Sequence, residues 1–167
     1  MTLASFRILG LPAPQGSKSF KGMVTGARGQ QVPRLVESSK QLPKWRKEVT
    51  KQAAITWRGN PPLDQPLVVV MTFTLPKPAS APKTRTTWPD RKPDVSKLAR
   101  AVEDSLTDAG VFSDDARIVD LIARKRYPNE GAGALPQPGV VVHVFAAKSH
   151  EADVFEIGAD QPQEVLL

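Results

Sequence analysis

KPDVSKLARAVEDSLTDAGVFSDDARIVDLIARKRY, residues 92–127, is the stretch from which the fold is read. Leu98, Ala101, Val102, Leu106 and Ala109 recur at spacings that make one apolar stripe on a helix from about Val95 to Ala109. Gly110 follows where a left-handed C-terminal cap is needed. After a turn at Asp114 and Asp115, residues 116–127 (ARIVDLIARKRY) read as a strand. A helix of this length spans roughly 20 Å. Asp94 and Asp115 therefore meet only if the chain doubles back and sets the strand antiparallel beside the helix's start.

Upstream, residues 66–75 (PLVVVMTFTL) are rich in β-branched residues and alternate as a strand covered on one face and partly on the other. Residues 3–11 read as another strand, and residues 12–40, poor in apolar periodicity, as a long basic loop or hairpin. Trp45, Val49, Ala53 and Trp57 recur every four positions and predict a helix over 43–57, capped by Ser38 or Ser39 and stopped at Gly59. Residues 139–147 (GVVVHVFAA) complete the set as a strand, most simply paired in a hairpin with 116–127 across the loop 128–138. This order predicts an α/β (α+β) fold: one domain over 1–148, with a small mixed β-sheet packed against two helices.

Residues 149–167 hold five acids and no Lys or Arg, and read as a poorly ordered acidic tail. The remaining 148 residues carry 23 basic and 12 acidic side chains, a charge of +11, and such a surface suits a polyanionic partner, nucleic acid above all. With no cysteine and only His143 and His150, thiolate and ordinary zinc sites are excluded, so a metal would be held by oxygen. No run of about 20 apolar residues is present to span a bilayer, and a cytoplasmic protein without a membrane partner is expected. A chain of 167 residues holds one core, and an active cleft larger than that core points to a homodimer.

The chemistry concentrates around the carboxylates. Asp94, Asp114 and Asp115 are the kind of oxygen donors that Mg²⁺ takes, or Mn²⁺ in its place, while keeping waters and room for phosphate. Solvated turns also collect Asp–Asp pairs, so composition alone leaves a turn role open. Residues 76–93 hold five prolines with Lys77, Lys83, Arg85, Arg91 and Lys92, and so form an exposed basic loop that as a group suits phosphate. Lys97 and Arg100 sit with Asp104 at helical spacing, and a surface ion pair is the favoured role for Asp104. Trp45 and Trp57 read as core or dimer residues, His143 as structural, and Trp88 as a candidate for stacking on an unpaired base.

P-D-x-x-K-L-x-R-A at 93–101, D-x-L at 104–106, DDARIV at 114–119 and K-R-Y at 125–127 together resemble the RusA family of Holliday-junction resolvases, as more weakly does GLPAPQGSKS at 10–19. The resemblance implies a homodimeric, Mg²⁺-dependent endonuclease that makes paired nicks across four-way or otherwise branched DNA. It implies catalytic roles for Asp94, Asp115 and Arg100 and metal contacts from Asp94, Asp115 and Asp114, while positive charge on its own marks Lys83, Arg85, Arg91, Lys92 and Lys97 as the expected DNA contacts. Ser96 departs from the pattern, which more often has a second Asp there. Ser can serve as a helix N-cap in that place. The alternative is a catalytically weakened or inactive branched-DNA-binding protein. In either case, replacing Lys83, Arg85 and Arg91 with Ala should weaken junction binding for all sequences alike. The slope of log affinity against log salt should flatten by about 0.9 for each phosphate that is no longer neutralised, as read by fluorescence anisotropy.

Overall fold

The computed structural model describes residues 2–16, 18–37 and 40–147. The acidic tail and the Ser38 and Ser39 caps lie outside them. Among the described residues are strands β1 (Thr2–Leu9), β2 (Lys18–Thr25), β3 (Gln31–Glu37), β4 (Leu67–Thr74), β5 (Ile118–Arg126) and β6 (Gly139–Ala146). The helices are α1 (Leu42–Trp57) and α2 (Val95–Asp108), and a short 3-10 turn at Asp115–Arg117 precedes β5.

The main sheet has the order β1-β6-β4-β5, with β4 antiparallel to β6 and parallel to β5. All eight residues of β4 are buried. Leu67, Val69, Met71 and Phe73 share a face with Val140, Val142 and Val144 of β6 and with Ala4, Phe6 and Ile8 of β1. Both helices cover that face, α1 through Trp45, Val49 and Ala53, α2 through Leu98, Val102 and Leu106. Trp57 packs against Phe6 at 6.5 Å, so both helix tryptophans serve the core. This is the expected mixed sheet against two helices. Residues 18–37 form a separate β2–β3 hairpin, one of the two expected alternatives.

The pairing of the last two strands differs from expectation: β5 and β6 make no hairpin, because β4 lies between them. Hairpin loops commonly hold about 2–5 residues. Residues 127–138 are a longer connection, enough to carry the chain past one strand and satisfy both edges of the most apolar segment. Part of that connection folds over the end of β4, where the Leu135 N–H donates to Thr74 Oγ1 at 2.8 Å. No helix is long and apolar enough to cross a membrane among the described residues.

α2 ends as its sequence predicts. Gly110 takes φ +73°, its N–H donates to the Thr107 carbonyl, and the Val111 N–H reaches back to Leu106 at 3.0 Å. These two bonds are the Schellman pattern that satisfies the last carbonyls of a helix. Ser96 is the second helical residue and is exposed; the N-cap position falls to Asp94, so the capping role considered for Ser96 does not occur. At the start of α1 the N-cap is Gln41 and a proline occupies the first turn.

The basic segment 76–93 lacks helix and strand yet is fastened down. Lys77 pairs with Glu130, whose other carboxylate oxygen accepts the Thr87 N–H at 3.0 Å. Hydrogen bonds from Lys77 first, and then from Thr87, hold the Glu130 carboxyl below the usual carboxylate range. A depressed acid contributes order above its unfolded pKa and loses it as pH falls through the lower folded value. The protection factor of the Thr87 amide in hydrogen exchange should therefore collapse only below the ordinary glutamate range. In Glu130→Ala it should be low at every pH.

Candidate active site

β4, α2 and β5 form one unit in which a helix connects two parallel strands, so α2 runs against both. Its N-terminus consequently lies at the C-terminal ends of β4 and β5, and its C-terminus beside the start of β5. Lys125, near the end of β5, confirms the register: its ammonium donates to the carbonyls of Arg91 at 2.8 Å and Pro93 at 3.0 Å. That side chain fixes the turn from which Asp94 projects, so it is a positioning residue. The K-R-Y pattern contained it without revealing this role.

Asp94 has an extended backbone and its carboxylate makes no capping bond, which is unusual for an acid at this place. The side chain is 55 % exposed, and its nearest cation is Lys97 at 3.8 Å. α2 has no acid in its first turn. The free N–H groups of that turn, together with Arg91, Lys92 and Lys97, all exposed, make this end of the helix attractive to an anion. Lys83 and Arg85 are exposed on the same fastened segment. Trp88 is 65 % exposed, with the Arg126 guanidinium 4.8 Å from its ring centre.

Asp115 lies at the opposite end. It is exposed at the start of the 3-10 turn, its backbone carbonyl accepts the Ile118 N–H, and its carboxylate has no hydrogen bond or ion pair among the described residues. Asp114 caps that turn by accepting the Ala116 N–H at 2.8 Å. The turn is held rigidly: Arg117 pairs with Asp64 at 2.8 Å, the Ser113 hydroxyl donates to the same carboxylate, and the Ser113 N–H bonds to the Leu63 carbonyl at 3.0 Å. Asp64 was not legible as part of the site, because it is remote in sequence and belongs to no local pattern.

Glu103 is a second residue the sequence did not single out. It is half-buried on α2, and its carboxyl is pushed above the usual range, first by burial and then by the charges of Asp115 and Asp104, with Arg100 pulling the other way. Asp115 is thus a neighbour of Glu103, nine residues and about 13 Å along the helix from Asp94. The structure does not bring Asp94 and Asp115 together in one chain. Among the described residues no three acidic or imidazole groups converge as metal ligands.

Arg100 is exposed between the two ends and has no ion pair among the described residues. The surface pair expected for Asp104 forms with α1 instead: Arg46 reaches Asp104 at 3.3 Å and Asp108 at 2.6 Å. His143 is half-buried on the sheet face away from the helices and shares a 3.1 Å hydrogen bond with Ser5, a structural role.

A basic α+β domain with exposed carboxylates and cations ranged along one helix suits an enzyme that acts on nucleic acid. The family described as Endodeoxyribonuclease RusA matches residues 12–134, and the chain belongs to that family of Holliday-junction resolvases. RusA-family nucleases are generally magnesium-dependent. No curated protein matches the chain.

The placement of Asp115 has a direct titration signature. Asp115→Asn removes one of the charges repelling the Glu103 carboxylate, so that carboxyl should titrate lower than in the wild type. Arg100→Ala should move it higher, with carboxyl ¹³C shifts followed against pH as the measurement.

Proposed function

We propose that the chain resolves Holliday junctions or other branched DNA by paired, Mg²⁺-dependent nicks, acting as a homodimer. The observation that carries this reading is the opposed placement of Asp94 and Asp115, two exposed carboxylates at the two ends of one helix. A second copy related by a dyad, with its α2 antiparallel to the first, sets Asp94 of each copy near Asp115 of the other. The free edge of β5 favours such a partner, since Val119 and Leu121 there are 58 % and 43 % exposed. Two equivalent sites across a dyad suit a substrate of near two-fold symmetry.

In this reading Asp94 and Asp115 hold the ion between subunits, with Asp114 beside them. When bound, the ion supplies charge neutralisation at the phosphate and an activated water. Arg100, exposed and without an ion pair among the described residues, stabilises the negative charge that develops on the phosphate. Lys83, Arg85, Arg91, Lys92 and Lys97 track the flanking phosphates and supply affinity independent of sequence. Ser96 leaves the site one carboxylate short of the commoner pattern, and this favours the second reading, a branched-DNA-binding protein weakened in cutting.

A synthetic four-way junction with Mg²⁺, Mn²⁺ or EDTA tests both readings. Asp94→Asn and Asp115→Asn should each bind the junction and lose cutting by orders of magnitude. Mixed after subunit exchange, they should regain single nicks, because each heterodimer then has one site with both acids intact. A wild type that cuts, beside a mixture that stays inert, would place both acids of a site in the same chain. Junction binding by a wild type that never cuts would select the second reading.

A further inference from the structure

A cavity of about 630 Å³ opens beside Asp94, between the segment that follows β1 and the fastened basic segment. It lies at the C-terminal ends of the two parallel strands and against the start of α2, where open parallel sheets characteristically bind ligands. Its walls include Pro12, Pro14, Pro76, Pro89 and the Tyr127 ring. These are flat apolar surfaces, and proline contributes no N–H. One edge is cationic, formed by Arg91, Lys92 and Lys97.

Gln15 supplies the polar group. Its backbone N–H donates to the Lys97 carbonyl at 2.8 Å, which fastens this segment to the first turn of α2. Its side chain lines the cavity, and Oε1 is buried without a hydrogen-bond partner among the described residues. A buried acceptor left unmatched is unfavourable, and a ligand with an N–H or amino donor would relieve it. Flat apolar walls, one amide and a cationic edge next to a carboxylate of the cutting site match the parts of a nucleotide.

We propose that this cavity receives an unstacked base from a nucleotide beside the scissile phosphate, with Gln15 accepting from its amino or ring N–H group and the cationic edge holding its phosphate. The proposal rests on the branched-DNA nuclease reading and adds to it a device for selectivity. Removing a base from its stack is least unfavourable where the helix is already interrupted. A branch point therefore fills the cavity more readily than continuous duplex does. Bases that present a donor to Gln15 are preferred beside the cut.

The test uses the full chain and a four-way junction carrying 2-aminopurine or pyrrolocytosine at successive positions around the mapped cut, in EDTA so that no strand is broken. Emission should rise severalfold on binding at one position and stay flat at the others. Gln15→Trp, which fills the cavity, should abolish that rise, while anisotropy in the same titration shows affinity reduced less than about threefold because phosphate contacts persist. Gln15→Leu, a milder change, should flatten the base preference among cut sites in Mg²⁺. Emission that stays flat everywhere on a bound junction that the wild type cuts would overturn the cavity assignment and leave the nuclease reading standing. A rise that survives Gln15→Trp would overturn it too, placing the opened base elsewhere. A chain that neither binds nor cuts junctions would overturn both.

Discussion

The parallel pairing of β4 with β5 is the constraint on which the rest of this structure depends. Two consecutive parallel strands cannot be joined by a tight turn, so the chain must cross back over the sheet, and α2 is that crossing. The helix must then run against both strands. The residue before it and the residues after it are thereby sent to opposite ends of the domain, whatever their side chains. Asp94 and Asp115 are separated by topology, and no local adjustment in a single chain reunites them. The same crossing gives α2 its buried stripe, since Leu98, Val102 and Leu106 press on the face that β4, β6 and β1 present.

Much of the architecture was legible because the signals were local. The spacing of Leu98, Ala101, Val102 and Leu106 fixed α2, and Gly110 fixed its end. The alternating, β-branched run 66–75 predicted a strand covered on one face and partly on the other, and β4 is buried along its whole length because β5 and β6 flank it. What periodicity does not carry is which strand pairs with which, and there the hairpin expected of β5 and β6 gave way to β4 lying between them. The condition named for Asp94 and Asp115 to meet, a strand running antiparallel beside the helix, is fulfilled without uniting them. Such a strand brings its end, not its beginning, to the helix's start, and so Lys125 stands there instead of Asp115.

Side-chain roles followed a similar division. The candidate acids and cations stand out by type and pattern, and the structure leaves Asp94 and Arg100 exposed on α2 and Asp115 exposed in the turn beyond it. The residues that position them were hidden. Asp64 steadies the Asp115 turn from 51 positions earlier in the chain, and Lys125 reaches the carbonyls before Asp94 from the far end of β5. Asp104 was assigned to an ion pair, and it makes one, with a partner on the other helix that helical spacing could not name. Gln15 stands in a stretch that gave only a weak family likeness, and nothing in its neighbourhood marked it as the polar group of a cavity.

The five prolines of residues 76–93 bear on how the protein meets a substrate. Each ring removes a backbone rotation from the unfolded chain, so less conformational freedom is surrendered when the segment is ordered. With Glu130 and Lys125 holding it near either end, the segment is a stiff panel set into the surface rather than a flap that folds down on arrival. Recognition by such a panel resembles a gauge. In the proposed role it would not reshape itself around a near match, and a molecule of the wrong contour would be turned away by the misfit alone.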